Sequence, residues 1–301
     1  MNPYVIEPFL RRRSWALLTG EEGTGKSFLA MALSSAIATG GKLFANWKIK
    51  QRKATVLYIV DSEMTDEIIR ERMTIFKKLY HGCNENFLIE QVKNLNLLED
   101  GMDKIEKRIL KGSASGKTVE ILVLDHLLKL TGFHGDEDEN WPKIRDWIEQ
   151  LNERGLTVLL LHHEYAGQRM LGTRLIAADA PARVHLDIVK HSDNAKIQFL
   201  VSIVKNRGGM LQRNPMSVYL HLGKRPFWTL TEAKSTETNE GDKLDFRHMS
   251  ADERKSKIIE LRKDGKTNKQ VAECLQCSES SVEKIVSTLP KELKKRINQK
   301  I

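Results

Sequence analysis

The segment GEEGTGKS at residues 20–27 constrains the fold of this chain more than any other. It follows the apolar run WALLTG, precedes the helix-period segment KSFLAMALSSAIA, and matches G-x-x-x-x-G-K-[ST] at every fixed position. In that pattern the backbone N–H groups wrap phosphates, the lysine reaches the β and γ phosphates, and the hydroxyl holds Mg²⁺. A chance glycine-rich turn is the alternative. The motif predicts a nucleotide contacted by Gly20, Gly23, Thr24, Gly25, Lys26, Ser27 and Phe28.

Short apolar runs alternate with amphipathic segments from Trp15 to about Thr231. The runs TVLYIVD, EILVLD and LTVLLLHH are almost continuously apolar, which is typical of central strands buried on both faces. This order predicts an α/β fold with a mostly parallel, helix-covered sheet. Beyond residue 180, closely spaced strand candidates such as KIQFLVSIVKN and MSVYLHLG predict antiparallel strands at one end of the sheet.

A polar stretch at 232–247 separates this domain, residues 1–231, from a small C-terminal module, residues 248–301. The module contains three short helix candidates, each opened by a Ser or Thr, and the pattern predicts a helix-turn-helix domain.

Composition favours a soluble globular chain with an anionic partner. The chain has 301 residues, 40% hydrophobic and 30% charged, with a net charge of +9 that makes nucleic acid the first candidate partner. No apolar run reaches the ~20 residues that span a bilayer, and no signal peptide is seen, so we expect a cytoplasmic protein with no membrane partner. Cys83, Cys274 and Cys277 cannot form a disulfide framework, and the last two are interpreted as packed residues rather than a metal or redox pair.

Carboxylates follow two of the apolar runs. Asp125 ends ILVLD, where an acid would hold Mg²⁺ together with Ser27. Asp61 and Glu63 follow TVLYIV, and either could polarise the water that attacks a γ-phosphate. The alternative is that they cap or charge the N-terminus of the helix that follows. Spacing alone leaves both interpretations open.

His162 and His163 end the run TVLLLHH, where a polar side chain could sense the γ-phosphate. Strand-end histidines satisfied by backbone groups are the alternative. The segment after them carries Arg169 and Arg174 among glycines, so contact with the phosphate backbone of DNA is plausible there.

Two further cationic features fall late in the chain. Lys205 and Arg207 end the strand candidate in SIVKNRGG, and from the local sequence alone they could be surface cations at a strand end. Residues 248–301 hold 13 Lys/Arg and 8 Asp/Glu, which favours DNA binding with Lys284 as a contact. Glu279 and Glu283 in the same helix candidate favour protein docking or ring packing instead.

The segments GEEGTGKS, VDSEMTDEIIRERM, LVLDHLLKLTGFHGDEDEN, LLLHHE and VKNRGG occur in the order seen in RecA-like ATPases. Over roughly residues 10 to 230 the chain resembles the hexameric replicative helicase group. DSEMTDEIIRERM is similar to the DnaB-type helicases, and LTGFHGDEDEN followed by LLLHH is similar to the plasmid RepA branch.

That resemblance implies a RecA fold, ATP and Mg²⁺ as cofactors, and a homo-oligomer that forms a hexameric ring around single-stranded DNA. It implies Lys26, Ser27, Glu63 and Asp125 as the hydrolytic set and His163 as a sensor. It also implies that Lys205 and Arg207 reach the nucleotide site of the next subunit. The acidic stretch GDEDEN departs from a basic DNA-facing loop, and LGTR is the nearest match to the Arg-Gly-Ser stretch of the RepA branch, which leaves the role of Arg174 open.

We therefore expect an ATP-hydrolysing ring-forming motor on DNA, most similar to a replicative helicase of a plasmid, phage or mobile element. Duplex DNA is the candidate partner of the C-terminal module. The alternative is a KaiC-like or recombinase-like regulatory ATPase that binds DNA or a protein without unwinding. A third hypothesis is a transcription regulator whose ATP site only controls assembly. Glu63 distinguishes the last from the others, since a pure binding module has no need of a carboxylate that orients water.

Overall fold

The computed structural model describes residues 2–44, 47–51, 53–81, 85–114, 116–131, 137–165, 169–170, 174–187, 196–209, 211–232, 251–263, 267–275 and 277–289. The chain divides into two compact units, Met1–Ala233 and Lys234–Ile301. From residue 233 onward the predicted linker lies outside the described residues, and so do Gly167, Gly172 and Cys83. The linker stays a prediction.

The strands are β1 (Tyr4–Glu7), β2 (Leu10–Arg11), β3 (Trp15–Gly20), β4 (Lys48–Ile49), β5 (Thr55–Asp61), β6 (Phe87–Val92), β7 (Val119–Asp125), β8 (Thr157–Tyr165), β9 (Arg169–Met170), β10 (Ala182–Asp187), β11 (Lys196–Asn206), β12 (Gln212–His221) and β13 (Phe227–Glu232). The helices are α1 (Lys26–Thr39), α2 (Asp66–Leu79), α3 (Met102–Ala114), α4 (Leu127–Thr131), α5 (Glu137–Glu153), α6 (Arg174–Asp179), α7 (Ala251–Lys263), α8 (Asn268–Cys274) and α9 (Glu279–Ser287). A π-helical turn, Leu97–Gly101, precedes α3.

A ten-stranded sheet organises the first unit, in the order β13-β12-β11-β10-β3-β8-β7-β5-β6, with β9 paired to β8. The strands from β10 through β3, β8, β7 and β5 to β6 run parallel. Strands β11, β12 and β13 add antiparallel pairs at one end. The predicted mixed architecture is confirmed, with one correction. We expected the antiparallel part to begin at the strand after residue 180, but β10 pairs parallel with β3 and the change of direction comes at β11.

Hydrophobic clusters cover both faces of this sheet. Along β3, Ala16 and Leu18 belong to the cluster that contains α1, whereas Trp15 and Leu17 belong to the cluster that contains α5. Because successive side chains of a strand point to opposite faces, both faces of β3 are buried, and all six of its residues are buried. This explains why the central strands read as continuous apolar runs rather than alternating ones.

Helix starts follow local signals in two cases and depart from expectation in a third. Thr65 caps α2 and accepts a hydrogen bond from the backbone N–H of Ile68 at 3.4 Å. In the second unit, Thr267 and Gln270 exchange side-chain and backbone hydrogen bonds of 3.3 and 2.9 Å, a capping box at the start of α8. The segment WPKIRDWIEQLNERG predicts a helix with Pro142 near its first turn, but α5 begins at Glu137, so Pro142 lies inside it. Because proline has no backbone N–H, α5 lacks one helical hydrogen bond at that residue.

Several elements had no counterpart in the prediction, among them β6 and α3. Strand β6 pairs parallel with β5 at the edge of the sheet, and α3 follows the π-helical turn. The sequence of β6, FLIEQV, is only weakly apolar because an edge strand is covered less completely than a central one.

The second unit packs α7, α8 and α9 around a small core of Ile258, Val271, Ala272, Leu275 and Val282. Cys277 packs against this core, and burial raises the pKa of its thiol. Among the residues described, no helix combines the length and apolar character that crossing a bilayer requires.

Candidate nucleotide-binding site

A cleft of about 320 Å³ lies at the edge of the sheet where the parallel strands end. The strand registers bring this about, because Gly20 of β3 lies opposite His163 of β8, and Val60 of β5 lies opposite Asp125 of β7. The cleft is lined by the phosphate-loop residues Glu22, Gly23, Gly25, Lys26 and Ser27, by Phe28, and by Val60, Asp61, Glu63, Met64, Ile68, Arg72, Asp125, His126 and His163. The tertiary structure therefore assembles Lys26, Ser27, Glu63, Asp125 and His163 in one place.

The phosphate loop needs glycine for two different reasons. Gly25 caps α1 with a left-handed backbone, φ 85°, and a Cβ there would lie 2.9 Å from the ring of Phe199. At Gly20 the obstacle is contact, since a Cβ would clash with the carbonyl oxygen of Leu186 on β10. The loop backbone thus lies tightly between the sheet and the start of α1.

Lys26 folds back onto its own loop. Its Nζ donates to the carbonyl oxygens of Gly20 and Glu21 at 2.9 and 2.7 Å. Burial lowers the pKa of Lys26 to about 8, although the negative charges of Asp125 and Glu164 oppose the shift. An anionic phosphate in the cleft would favour the charged ammonium, so nucleotide binding and protonation of this lysine are coupled.

Ser27 and Asp125 form a hard-oxygen pair at the base of the cleft. The Ser27 hydroxyl donates to Asp125 Oδ1 at 3.0 Å, and the buried Tyr58 hydroxyl donates to Oδ2 at 2.6 Å. Burial raises the pKa of Asp125, while the hydrogen bonds from Tyr58 and Ser27 oppose that rise. A serine hydroxyl beside a carboxylate next to a phosphate loop fits Mg²⁺, which prefers oxygen ligands and keeps several waters.

Glu63 lies at the mouth of the cleft, directly after β5. Its backbone N–H donates to Asp61 Oδ1 at 2.7 Å, and its side chain pairs with Lys129 of α4, with Nζ 2.5 Å from Oε1. Burial raises the pKa of Asp61, and the charge of Glu63 adds to that shift. Lys129 was not predicted as a site residue, because a lysine in a short helix has no distinguishing sequence context.

Two histidine rings border the same cleft. His126 and His163 meet edge to face with ring centroids 4.1 Å apart. Burial lowers the pKa of His126 to about 3, with the His163 and His162 rings adding to the shift. Burial and then Lys26 lower the pKa of His163 to about 4, so both rings are neutral at pH 7. A neutral His163 can donate or accept one hydrogen bond, as a γ-phosphate sensor requires.

His126 is a site residue that sequence reasoning missed. Its Nδ1 is buried and has no hydrogen-bond partner among the described residues. Asp61 Oδ2 is also buried and also lacks a hydrogen-bond partner there. Atoms of Asp61, Glu63 and His126 lie within 4.8 Å of one another, the only such set of metal-binding side chains in the described part of the chain. The position of His126 directly after Asp125 is the one sequence signal that could have identified it as a site residue.

Arg72 of α2 was also missed. Its guanidinium lies 5.8 Å from the centroid of the Phe28 ring, and its charge lowers the pKa of Asp125 against the larger effect of burial. The Phe28 ring itself packs against Phe76 and Phe199, with centroids 5.0 and 6.0 Å away. Phe28 therefore supports the cleft wall with a ring that is mostly in the core.

Lys205 and Arg207 lie at the opposite edge of the sheet from the phosphate loop of their own chain. Lys205 pairs with Arg183, which lies opposite Leu17, three residues before Gly20. Nζ of Lys205 donates to the carbonyl oxygens of Ala177 and Ala178 at 3.0 and 2.5 Å. Arg207 donates to Ala178 at 2.7 Å. In the single chain both cations thus cap the end of α6.

The predicted DNA contacts are distributed over both units. Arg169 belongs to β9, which pairs with the end of β8. Arg174 begins α6 and is exposed. In the second unit Lys284 is exposed on α9, next to the exposed Glu283. Arg169 and Arg174 belong to the first unit and Lys284 to the second, and their contact with DNA stays a prediction.

A buried ionic cluster lies beside the phosphate-loop strand. His185 Nδ1 is 2.7 Å from Glu164 Oε2, and its Nε2 is 3.1 Å from Asp187 Oδ1. Neither Glu164 oxygen has a partner in hydrogen-bond geometry among the described residues, so the contact is an ion pair rather than a directed hydrogen bond. Thr19 of β3 approaches His185 Nδ1 at 3.3 Å, and Arg183 lies 3.5 Å from Glu164.

The phosphate loop between a strand and a helix, with the Ser27–Asp125 pair and the acid-lined cleft, defines a P-loop ATPase. The sequence matches the AAA domain family over residues 2–168, more than half of its length, and the chain belongs to that family. Among solved structures, a KaiC-like protein from the hyperthermophilic archaeon Pyrococcus horikoshii OT3 superimposes with a TM-score of 0.51 at 16% identity. The alignment covers 75% of this chain and 93% of that protein. No curated protein matches the sequence significantly.

At that identity the likeness shows the fold alone, and the predicted RecA-like architecture is confirmed. The prediction of a P-loop ATPase is confirmed by the family. Helicase activity, ring assembly and DNA binding by the C-terminal module stay predictions.

Proposed function

We propose that this protein is a ring-forming ATP-driven motor on DNA, of the replicative helicase type. The observation that supports this best is the arrangement of two sets of residues at opposite edges of one sheet. Lys26, Ser27, Glu63 and Asp125 face the cleft, whereas Lys205 is level with Leu17 in the middle of β3 and Arg207 lies farther toward the start of that strand. A nucleotide in this cleft would touch the first set within one chain and the second set only from a neighbouring chain.

The strand spacings give the approximate distance between Lys205 and Gly20 of the same chain. Lys205 aligns with Leu17, so its backbone is about 10 Å along the strand from Gly20 and about 10 Å sideways across two strand spacings. Arg207 lies farther in the same direction, and its backbone N–H donates to Pro181. An arginine supplied by the next subunit stabilises charge on the transferred phosphoryl group, and the proposal assigns this role to Arg207, with Lys205 beside it.

Within one site, each residue has a defined task. Lys26 binds the β and γ phosphates as a cation, and His163 contacts the γ-phosphate as a neutral ring. Ser27 and Asp125 would hold Mg²⁺, which offsets charge on the phosphates when it is bound. Glu63 orients a water and accepts its proton while the water oxygen bonds to the γ-phosphorus. The bond from that phosphorus to the bridging oxygen breaks, and ADP and phosphate leave.

The first experiment measures ATP hydrolysis with and without single-stranded DNA, and the unwinding of a forked duplex. Native mass spectrometry gives the number of chains in the assembly. We expect hydrolysis to rise with single-stranded DNA, a six-chain assembly, and unwinding only with ATP and Mg²⁺. Hydrolysis that ignores DNA, with no unwinding, would reject the helicase proposal.

The second experiment tests contact between subunits. Arg207→Ala should bind ATP but not hydrolyse it, and mixing it with Lys26→Ala should restore some activity, because one interface then combines an intact loop with an intact arginine. Arg225→Ala, which removes an exposed arginine after β12, is the matched control and should hydrolyse ATP normally. Normal hydrolysis by Arg207→Ala would leave Arg207 as a cap of α6 only.

One observation favours a second candidate, a regulatory ATPase that binds a protein partner without unwinding. The exposed face of α9 carries Glu279 and Glu283 against the single cation Lys284. That charge balance is poor for DNA phosphates and suits a docking surface. An isolated second unit that fails to bind duplex DNA, combined with absent unwinding, would favour this candidate.

A further inference from the structure

Lys129 holds the candidate base Glu63 by a direct ion pair. Its Nζ lies 2.5 Å from Glu63 Oε1, and the two side chains are about half exposed, at 52% and 59%. The hydrogen bond and the charge of Glu63 raise the pKa of Lys129, so the ammonium is charged throughout the physiological range. The pair therefore bridges α4 and the end of β5.

The backbone around Glu63 is held in place, so only its side chain can move to break the contact with Lys129. The N–H of Glu63 donates to Asp61 Oδ1, and Thr65 caps α2 two residues later. Lys129 sits in a short helix that starts two residues after Asp125. Both ends of the ion pair thus belong to segments fixed by the sheet, and opening the pair requires only side-chain rotation.

An ammonium on the carboxylate competes with the water that the carboxylate must orient. A general base has to lie within hydrogen-bond reach of the proton that it accepts, and here one oxygen already accepts a charge-assisted hydrogen bond. The charges of Asp61 and Glu22 attract Lys129 to the same region, so its cation stays at the cleft mouth. Lys26 does not take its place, since Nζ of Lys26 is bound to the carbonyls of its own loop.

We propose that Lys129 is a positioning residue that restrains Glu63, so that ATP hydrolysis requires the Lys129–Glu63 pair to open. The inference rests on the proposed role of Glu63 in hydrolysis. It makes Lys129 a determinant of the basal rate rather than of nucleotide affinity.

The test measures kcat and KM for ATP in the absence of DNA for Lys129→Met and Lys129→Gln. We expect kcat to rise about two- to fivefold with little change in KM, the rate equivalent of an exposed ion pair worth about 0.4–1 kcal/mol. Lys129→Arg keeps the pair and should stay near the wild-type rate. Salt provides a second readout, because raising ionic strength should increase the wild-type kcat more than that of Lys129→Met.

The matched control is Lys104→Met, which removes another exposed lysine paired with an acid, Asp100, at 2.7 Å and outside the cleft. It should change neither kcat nor its salt dependence. An unchanged or lower kcat in both Lys129 variants would overturn the proposal.

Glu63→Gln separates this failure from failure of the proposed function. If Glu63→Gln is inactive and the Lys129 variants behave like wild type, the restraint is wrong but the role of Glu63 stands. If Glu63→Gln hydrolyses ATP normally, Glu63 is not the base and the restraint is wrong with it.

Discussion

The buried pair of His185 and Glu164 should make the stability of the first unit fall as pH rises from about 6.5 to 9. Burial alone would lower the pKa of His185, but the hydrogen bond to Asp187 and the contact with Glu164 outweigh it and raise the pKa to about 9. His185 is only 3% exposed, so solvent screens these charges little. A rise from 6.5 to about 9 corresponds to about 3 kcal/mol.

The direction follows from proton binding. Below pH 6.5 both folded and unfolded chains hold the proton, and the stabilisation is fully present. Between 6.5 and 9 the unfolded chain loses the proton first, so the free energy of unfolding falls, and above about 9 the contribution is lost. Lys26 has the opposite effect above pH 8, since its pKa is lower in the folded chain than in the unfolded one. The difference between two chains that share Lys26 removes most of this second effect.

Glu164→Gln is the perturbation that isolates the pair. It keeps the shape of the side chain but removes one of the two carboxylates that hold His185 charged. If Glu164 and Asp187 contribute equally, each provides at least half of the net effect, because together they also offset the burial penalty, and the gap in unfolding free energy between wild type and the variant should shrink by at least about 1.5 kcal/mol between pH 6.5 and 9.

Urea unfolding at several pH values, followed by tryptophan fluorescence, measures this gap. The five tryptophans, residues 15, 47, 141, 147 and 228, all belong to the first unit, so the signal reports on that unit alone. Glu106→Gln is the control. Its carboxylate accepts from Arg154 and Trp147, which lower its pKa against the effect of burial, so its gap to wild type should be constant over this range. A gap for Glu164→Gln that stays constant or widens toward pH 9 would refute the reasoning.

Three further outcomes are expected. Nucleotide affinity should fall as pH rises above about 8, by up to tenfold per pH unit, because binding then requires Lys26 to take up a proton. Equal affinity at pH 7 and 9.5 in titration calorimetry would contradict this. Tyr58→Phe should lower the free energy of unfolding by about 1–3 kcal/mol, because the buried Asp125 carboxylate loses a 2.6 Å hydrogen bond, whereas Tyr4→Phe at the surface should change it little in the same urea titration. Thr65→Ala should remove the cap of α2 and cost about 1 kcal/mol, a fall of about 2–4 °C in Tm, and Thr65→Ser should restore most of it.

Much of the candidate site was predictable because its signals are local. The phosphate loop is defined by eight consecutive residues, and Asp125 by its place at the end of an apolar run. Spacing alone could not choose between Asp61 and Glu63, since both lie at the end of the same strand, and the choice of Glu63 came from the family resemblance. The structure separates them, as Asp61 binds the backbone N–H of Glu63 and Glu63 extends to the cleft mouth.

The missed residues share a different cause. His126 reaches the cleft from the turn after β7, Arg72 from α2 and Lys129 from α4, and apart from the position of His126 next to Asp125 no local pattern distinguishes them. Their positions depend on how β5, β7 and α2 are placed around the loop, which only long-range packing decides. Lys205 and Arg207 are a similar case, since their hydrogen bonds to the end of α6 depend on the pairing of β10 with β11.

By itself, the sequence determined that this chain has a phosphate loop, a parallel sheet buried on both faces and antiparallel strands at its end. These properties depend on residue type and on periodicity over ten or so neighbours. Only the tertiary structure decided that β10 runs parallel beside β3, that Lys129 of α4 forms an ion pair with Glu63, and that Lys205 and Arg207 bind the end of α6 away from their own phosphate loop. Strand order and register join residues more than a hundred positions apart, and the free energy that selects them comes from the packed sheet as a whole.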